Sequence, residues 1–484
     1  MGRFVMGRFA PRLLAGVLAA TTAACAANSG AGASAPPTPV AASPAGPGPV
    51  IGAPTATPAA SARKAAKAHD YNGDGYADLV IGAPEGTVNG AKGAGHVNVV
   101  YGSTTGVTGA DRHVIGRGGA AVKGEGFGAT LASGDIDGDG YADLVIGAPG
   151  KGGRTGSVAI AFGGGRGLTD QTVTPAQPEG TIGFGAALAV GDFDHDGHDD
   201  LAVATFDTVW VTSGGKAVRE GTATWKTVMG PTARVATLAA GDVDGDGFAD
   251  LAVVYSEDDP ADEGTGVVYQ GSRSGLAGRL PGTFPGWGVG DVAIGDLDGD
   301  GYGDVVAGNA YADAEDEGGQ IYVSRGSAEG LRGTRALWTL TSPGMPRPPA
   351  DTSGFGGAVA VGDVNGDGYA DVAVGASGGA GAAFVLYGGE DGLSTRGAQV
   401  FDLRSAGVRG DFLQGFGQEV ALADLDGNGG AELIVSTRAE ERVTVLSPAG
   451  GPERSGAGGV SGVGKPGTQF APEQQGEGFG RPLN

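Results

Sequence analysis

Aspartates recur in this chain at a spacing that suits a hard cation. The stretch Asp70-Tyr-Asn72-Gly-Asp74-Gly-Tyr76-Ala-Asp78 is the first of seven related nonapeptides, the others starting at Asp135, Asp192, Asp242, Asp296, Asp363 and Asp424. Oxygen side chains at positions 1, 3, 5 and 9 converge on one point when a glycine at position 6 allows a sharp turn and position 7 offers its carbonyl. That is the oxygen cage Ca²⁺ prefers, whereas Mg²⁺ takes fewer protein ligands in stricter octahedral geometry. The predicted ligands of the first loop are Asp70, Asn72, Asp74, the Tyr76 carbonyl and Asp78. In the second they are Asp135, Asp137, Asp139, Tyr141 and Asp143, and in the third Asp192, Asp194, Asp196, His198 and Asp200. The fourth has Asp242, Asp244, Asp246, Phe248 and Asp250, and the fifth Asp296, Asp298, Asp300, Tyr302 and Asp304. The sixth has Asp363, Asn365, Asp367, Tyr369 and Asp371. The seventh departs furthest, with Asp424, Asp426, Asn428 and the longer Glu432, and is expected to bind most weakly. A simple turn needs one Asp and does not explain oxygens at four fixed offsets seven times over. An EF-hand is excluded, because position 12 of the first loop is Ile81 where a bidentate Glu belongs.

These loops account for 25 carboxylates, nearly half of the 55 acidic residues, so seven Ca²⁺ would move the formal charge from −24 to −10. The acidity is thus mostly metal site, and it argues against nucleic acid as a partner. One cysteine excludes an intramolecular disulfide, and five histidines leave little for zinc or histidine-based catalysis. The 100 glycines have no period of three, which excludes collagen.

The elements that position the loops are strands. The loop starts lie 65, 57, 50, 54, 67 and 61 residues apart, a period suited to a four-stranded propeller blade. Alternating stretches such as Thr130 to Ser133 precede the loops, and apolar runs such as Leu79-Val-Ile81 follow them. Third strands such as His96 to Tyr101 and weaker fourth strands such as Arg335 to Thr339 complete each unit. The expected fold is all-β: a seven-bladed propeller over residues 69–484.

Upstream, Arg3, Arg8 and Arg12 precede the apolar run Leu13 to Ala24, which reads as a signal peptide over residues 1–24. Cys25 follows Thr22-Ala23-Ala24 and resembles the lipidated cysteine of bacterial lipoproteins, although Thr22 replaces the usual Leu. Residues 25–68 form an Ala- and Pro-rich linker, so the chain is expected to be exported, as a cell-surface lipoprotein or secreted, and monomeric.

Phe127-Gly128, Phe184-Gly185, Phe355-Gly356 and Phe416-Gly417 each stand eight residues before a first Asp, and Gly82-Ala-Pro84 and Gly147-Ala-Pro149 follow their loops. With the calcium loops, these motifs resemble the FG-GAP repeats of the integrin α-subunit propeller, also found in glycosylphosphatidylinositol phospholipase D. The resemblance covers about residues 70 to 480. It departs at Arg234-Val235, which replaces Phe-Gly, at Trp287-Gly288, shifted by one residue, and at Gly375-Ala-Ser377.

Other motifs carry less. Gly375-Ala-Ser377-Gly-Gly379 spells a nucleophile elbow at a repeat position, Gly459 to Lys465 spells most of a phosphate loop but meets Pro466, and Arg409-Gly410-Asp411 is a chance-prone adhesive tripeptide. His195 and His198 are expected to be solvated loop residues, with His198 contributing only its carbonyl. The function expected is a calcium-binding, non-enzymatic extracellular module for adhesion or for binding an unknown protein or glycan. A carbohydrate-binding propeller and a hydrolase-associated protein are the alternatives; Trp210, Trp225, Trp287 and Trp338 read as packing residues. Acidic loops at Glu257 to Glu263 and Asp313 to Glu317 belong to the face away from calcium and are candidates for steering a basic partner. Finally, no Phe-Gly strand precedes the first loop, while Phe479-Gly480-Arg-Pro-Leu-Asn484 ends the chain in the missing register. The tail is expected to supply the first strand of blade one.

Overall fold

The computed structural model describes residues 66–108, 112–150, 155–231, 234–256, 264–286, 288–311, 318–332, 335–405, 415–437, 442–448 and 468–470. The export segment, Cys25, the linker up to residue 65, Trp287, the two acidic loops, Arg409 to Asp411, Gly459 to Lys465 and the C-terminal tail lie outside them. The fold is a seven-bladed β-propeller: the strands form seven antiparallel sheets, each sheet built from strands consecutive in the chain. Blade four is representative, with Arg234–Gly241, Asp250–Ser256, Thr265–Tyr269 and Phe284–Pro285 paired in that order. The one helix among the described residues is the single turn Lys216–Arg219.

Five sheets have four strands and two have three. Blade one holds Leu79–Ala83, His96–Val100 and His113–Ile115, and the tail expected to complete it lies outside the described residues. Blade two holds Thr130–Gly134, Asp143–Ala148 and Ser157–Ala161. Its outer edge is reduced to a bridge in which Ile160 and Val173 exchange N–H···O bonds of 2.8 and 2.9 Å. Pro175 and Pro178, just beyond, cannot donate to a ladder, so no fourth strand extends there.

The core lies between blades. Tyr71, Leu79 and Ile81 of blade one pack in one buried cluster with Leu131 and Leu144 of blade two and with Ile434 and Val443 of blade seven, so the apolar packing runs across the junction between first and last blades. The Phe-Gly motif works at these joints. Phe127, Phe184, Phe355 and Phe416 are fully buried, and each forms a parallel bridge with a glycine that opens the third strand of the preceding blade. A Cβ on Gly95 would stand 2.2 Å from the Phe127 carbonyl oxygen, so the approach requires glycine. The Gly-Ala-Pro glycine serves the same joint one strand over: a Cβ on Gly375 would meet the Gly417 carbonyl at 2.2 Å. Where Arg234-Val235 replaces Phe-Gly, Val235 keeps a link to the preceding blade through its N–H to the Phe206 carbonyl (3.1 Å), while Arg234 is exposed. Nearer the axis, buried Asp291 on Val289–Gly295 accepts from its neighbour Val292 and from Val359 of the next blade, at 2.9 and 2.8 Å.

Candidate metal centre

Each nonapeptide joins the first strand of a blade to its second, except that the first loop has no described strand before it. Its backbone is shaped by its own acids. The position-1 carboxylate accepts from the N–H of the position-6 glycine, as Gly75 to Asp70 (2.8 Å), Gly140 to Asp135 (2.9 Å) and Gly368 to Asp363 (2.9 Å). The position-5 carboxylate accepts from the N–H of position 7, as Tyr76 to Asp74 at 3.0 Å. Position 9 is the hub between loop and sheet: Asp78 accepts from the N–H of Tyr71 within the loop and from Gly102 at the end of the third strand, both at 2.9 Å. The same pair of bonds recurs at Asp143, Asp200, Asp250 and Asp371.

The arrangement crowds negative charge. Oxygens of Asp135, Asp137 and Asp143 lie within 4.8 Å of one another, and so do those of Asp192, Asp194 and Asp200; of Asp242, Asp244 and Asp246; of Asp296, Asp298 and Asp300; and of Asp424, Asp426 and Glu432. Loops one and six have the same backbone with Asn72 and Asn365 in third place. All seven position-9 acids are pushed far above the usual carboxylate range, foremost by burial and then by neighbouring carboxylates. Asp143 rises to about 8, and Asp78, Asp200, Asp250, Asp304, Asp371 and Glu432 to about 7. Buried oxygens of Asp194, Asp298, Asp304 and Asp424 have no hydrogen-bond donor. Crowded, desolvated carboxylates with spare lone pairs are the donor set of a hard divalent cation, so the clustered acids fit one, while Asp139, Asp196, Asp250 and Asp304 stand outside the clusters of their loops.

Two features escaped the sequence reading. The glycine at position 4 is as necessary as that at position 6: Gly73, Gly138, Gly245, Gly299, Gly366 and Gly427 all have φ between 69 and 73°, and His195, which replaces it in loop three, adopts φ 57°. Position-7 aromatics explain why the site is small. Tyr141 covers Gly73 of the preceding loop, His198 covers Gly138, Tyr302 covers Gly245, Tyr369 covers Gly299, and Tyr76 covers Gly427 across the junction of blades one and seven. Phe248 meets His195 edge-on at 5.7 Å.

The second feature is a belt. In every loop the position-8 N–H donates to the position-1 carbonyl of the preceding loop, at 2.7–3.1 Å: Ala142 to Asp70, Asp199 to Asp135, Ala249 to Asp192, Gly303 to Asp242, Ala370 to Asp296, Ala431 to Asp363, and Ala77 to Asp424. The seven bonds close on themselves. Pairwise spacing between motifs was visible in the sequence, but the register between blades was not.

Among the remaining motifs, Ser377 sits within the strand Asp371–Gly378, with no helix after it, so the elbow geometry is absent there. His198 Nδ1 lies 3.0 Å from Asp196. Trp225 packs edge-on against Phe184 and donates to the Ala176 carbonyl, and Trp338 packs against a blade core. No described helix is long and apolar enough to cross a membrane.

A family model described as FG-GAP repeat matches residues 61–100, 127–161, 289–324 and 355–386, and one described as FG-GAP-like repeat matches 192–253. Six of the seven loops fall inside these ranges; the divergent seventh does not. The chain is 37% identical to integrin alpha-6 of Gallus gallus over 155 residues, 30% of this chain and 13% of that protein. It is 34% identical over 146 residues to phosphatidylinositol-glycan-specific phospholipase D of Rattus norvegicus, 28% of this chain and 17% of that protein. Integrin alpha-4 of Xenopus laevis is 34% identical over 146 residues, 29% and 14% of the two chains. The matched stretches span less than a fifth of each of these relatives.

Proposed function

We propose, from the premise that this chain belongs to the FG-GAP repeat proteins of the integrin-alpha type, that it is a calcium-stabilised, non-enzymatic propeller that works outside the cell by binding a partner. The observation that carries the calcium reading is the crowding of acid oxygens within 4.8 Å of one another in five loops, beside buried position-9 acids whose charged form burial and neighbouring carboxylates disfavour and a bound cation would favour. Four oxygen side chains and one carbonyl from a single loop favour Ca²⁺ over Mg²⁺, which takes fewer protein ligands, and affinities on the order of 0.1 to 1 mM suffice outside the cell. Equilibrium dialysis should find several calcium ions per chain at millimolar calcium; a chain that takes up none overturns the reading. Residue Cys25 provides the surface anchor, and Cys25→Ala should release the protein from the cell.

The partner face is the end of the ring away from the loops. In blade three, the hairpin Thr205 to Thr208 joins the second and third strands at that end, beside Glu179 to Ile182 and Pro231. They enclose a depression of about 360 Å³ in which Ile182 and Phe206 are exposed. Trp210 also lines it, together with Glu179 and Asp207, and this aromatic-and-acid lining favours a glycan as the second reading. A glycan array separates the two: glycan binding lost in Phe206→Ala supports the lectin, and protein capture from surface extract without glycan binding supports adhesion. Esterase and phosphodiesterase substrates should not turn over.

A further inference from the structure

The seven blades are an internal comparison of one site. The residue just before the glycine that faces position 9 stands over the loop, and in blades one, two, four, five and six it is Tyr101, Phe162, Gln270, Arg325 and Tyr387. What it brings follows the residue at position 3. Where position 3 is Asn, in loops one and six, the overhanging residue is tyrosine, and the amide serves the loop itself: Asn72 and Asn365 donate to Asp74 and Asp367 at 2.9 and 2.8 Å. Where position 3 is Asp, in loops two, four and five, a donor comes from outside, whereas in loop three Ser213 precedes the facing glycine and a buried Asp194 oxygen has no donor. Gln270 donates to Asp244 at 2.6 Å. Arg325 pairs with Asp298 at 2.6 Å. Over loop two the overhanging side chain is apolar Phe162, and the charge arrives from the next blade: Arg219, on the one-turn helix Lys216–Arg219, lies 4.7 Å from the Phe162 ring centre and pairs with Asp137, with Asp139 at 3.7 Å.

Carboxylate number alone would rank loops two to five together. Their surroundings separate them. Loops two and five have four aspartates under an arginine, whereas loop four has four under a neutral amide. We infer that Arg219 and Arg325 are built-in counter-ions that hold the third-position aspartate when no metal is bound and compete with calcium for it. Loops two and five therefore bind calcium more weakly than loop four. The arginines trade affinity for a ring that stays closed when calcium is scarce. This rests on the calcium reading above and goes beyond it, because it assigns roles to side chains that are not ligands.

The test uses the full chain with Arg219→Gln, Arg325→Gln and the reverse change Gln270→Arg, each followed by thermal melting in chelator and by calorimetric calcium titration. Each arginine variant should melt lower in chelator, show a larger calcium-induced rise, and bind calcium roughly three- to tenfold more tightly at one site, the effect of removing one charge beside a divalent ion near the surface. Gln270→Arg should do the reverse, and it guards against a general folding defect in the other two. Unchanged or weakened calcium binding in both arginine variants overturns the inference. A wild-type chain whose melting does not respond to calcium instead overturns the calcium reading beneath it.

Discussion

The two ends of the propeller obey different rules. At the loop end, seven copies share one backbone, one pair of left-handed glycine positions with a single histidine exception, and one closed belt of hydrogen bonds. At the opposite end, the connections differ from blade to blade: blade three carries a depression with exposed Ile182 and Phe206, while blade two has lost its outer strand to proline. The difference teaches where closure is stored. A propeller is usually held by pairing its terminal strands, yet here the first and last blades are also joined through their loops, by Ala77 to the Asp424 carbonyl, Ser103 to the Leu425 carbonyl, and Lys67 bridging the Gly75 carbonyl and Asp424. The repeated end holds the ring together and leaves the other end free to vary.

The comparison is most strongly tested by removing the metal. At tenfold excess over its dissociation constant each calcium adds about 1.4 kcal/mol to the folded state, so several sites together should raise the melting temperature by roughly 10 °C. Excess chelator should abolish that rise, and Asp139→Ala should remove part of it. A melting curve indifferent to chelator would show that the loop end is held by its hydrogen bonds alone. Deleting residues 476–484 asks whether the terminal strand matters as well: if the tail completes blade one, the truncated protein should melt lower and be cleaved first in blade one, and a truncation that digests like the full chain refutes the clasp.

A smaller effect distinguishes the two ends by one methyl group. Both Gly427 and Gly180 have left-handed backbones, φ 70 and 77°. A Cβ on Gly180, near the depression, meets nothing within 4 Å, while one on Gly427 stands 2.7 Å from the Tyr76 ring at the junction of the last and first blades. Gly180→Ala should cost about 1 kcal/mol from backbone strain alone, and Gly427→Ala about two to three times as much, because the tyrosine must shift. Equal losses in denaturant titrations would mean that the aromatic contact contributes nothing to closure.

Much of this was legible in the sequence because it is local. Oxygens at fixed offsets define a loop by themselves, and the strands on either side show the alternation or apolar runs of sheet residues, so the fold and the clustering of acids in the loops could be read from spacing. What the sequence hid is contact between units. The position-4 glycine looks like turn composition until Tyr141 is found lying across Gly73, and Arg219 lies 82 residues from Asp137 with nothing in either neighbourhood to join them. The weak fourth strand of blade two was legible in hindsight, in Pro175 and Pro178.

The finest test of the comparison is its pH dependence. In chelator, the position-9 acids have folded pKa values of about 7, and about 8 for Asp143, against about 4 in the unfolded chain. Each folded pKa is raised, so the folded state holds extra protons between pH 4 and 7; the stability these groups contribute is present at acid pH and is lost as pH rises through 7 to 8. Calcium reverses the slope, because it requires the ionised acids and competes with their protons. The calcium-induced rise in melting temperature should therefore be small at pH 5.5 and grow steadily to pH 8, with the metal-free protein becoming less stable over the same interval. Mutations in the depression at the opposite end, such as Phe206→Ala, should leave that slope unchanged. A calcium effect of equal size at pH 5.5 and 8 would show that the buried ninth-position acids are not the groups whose charge the metal stabilises.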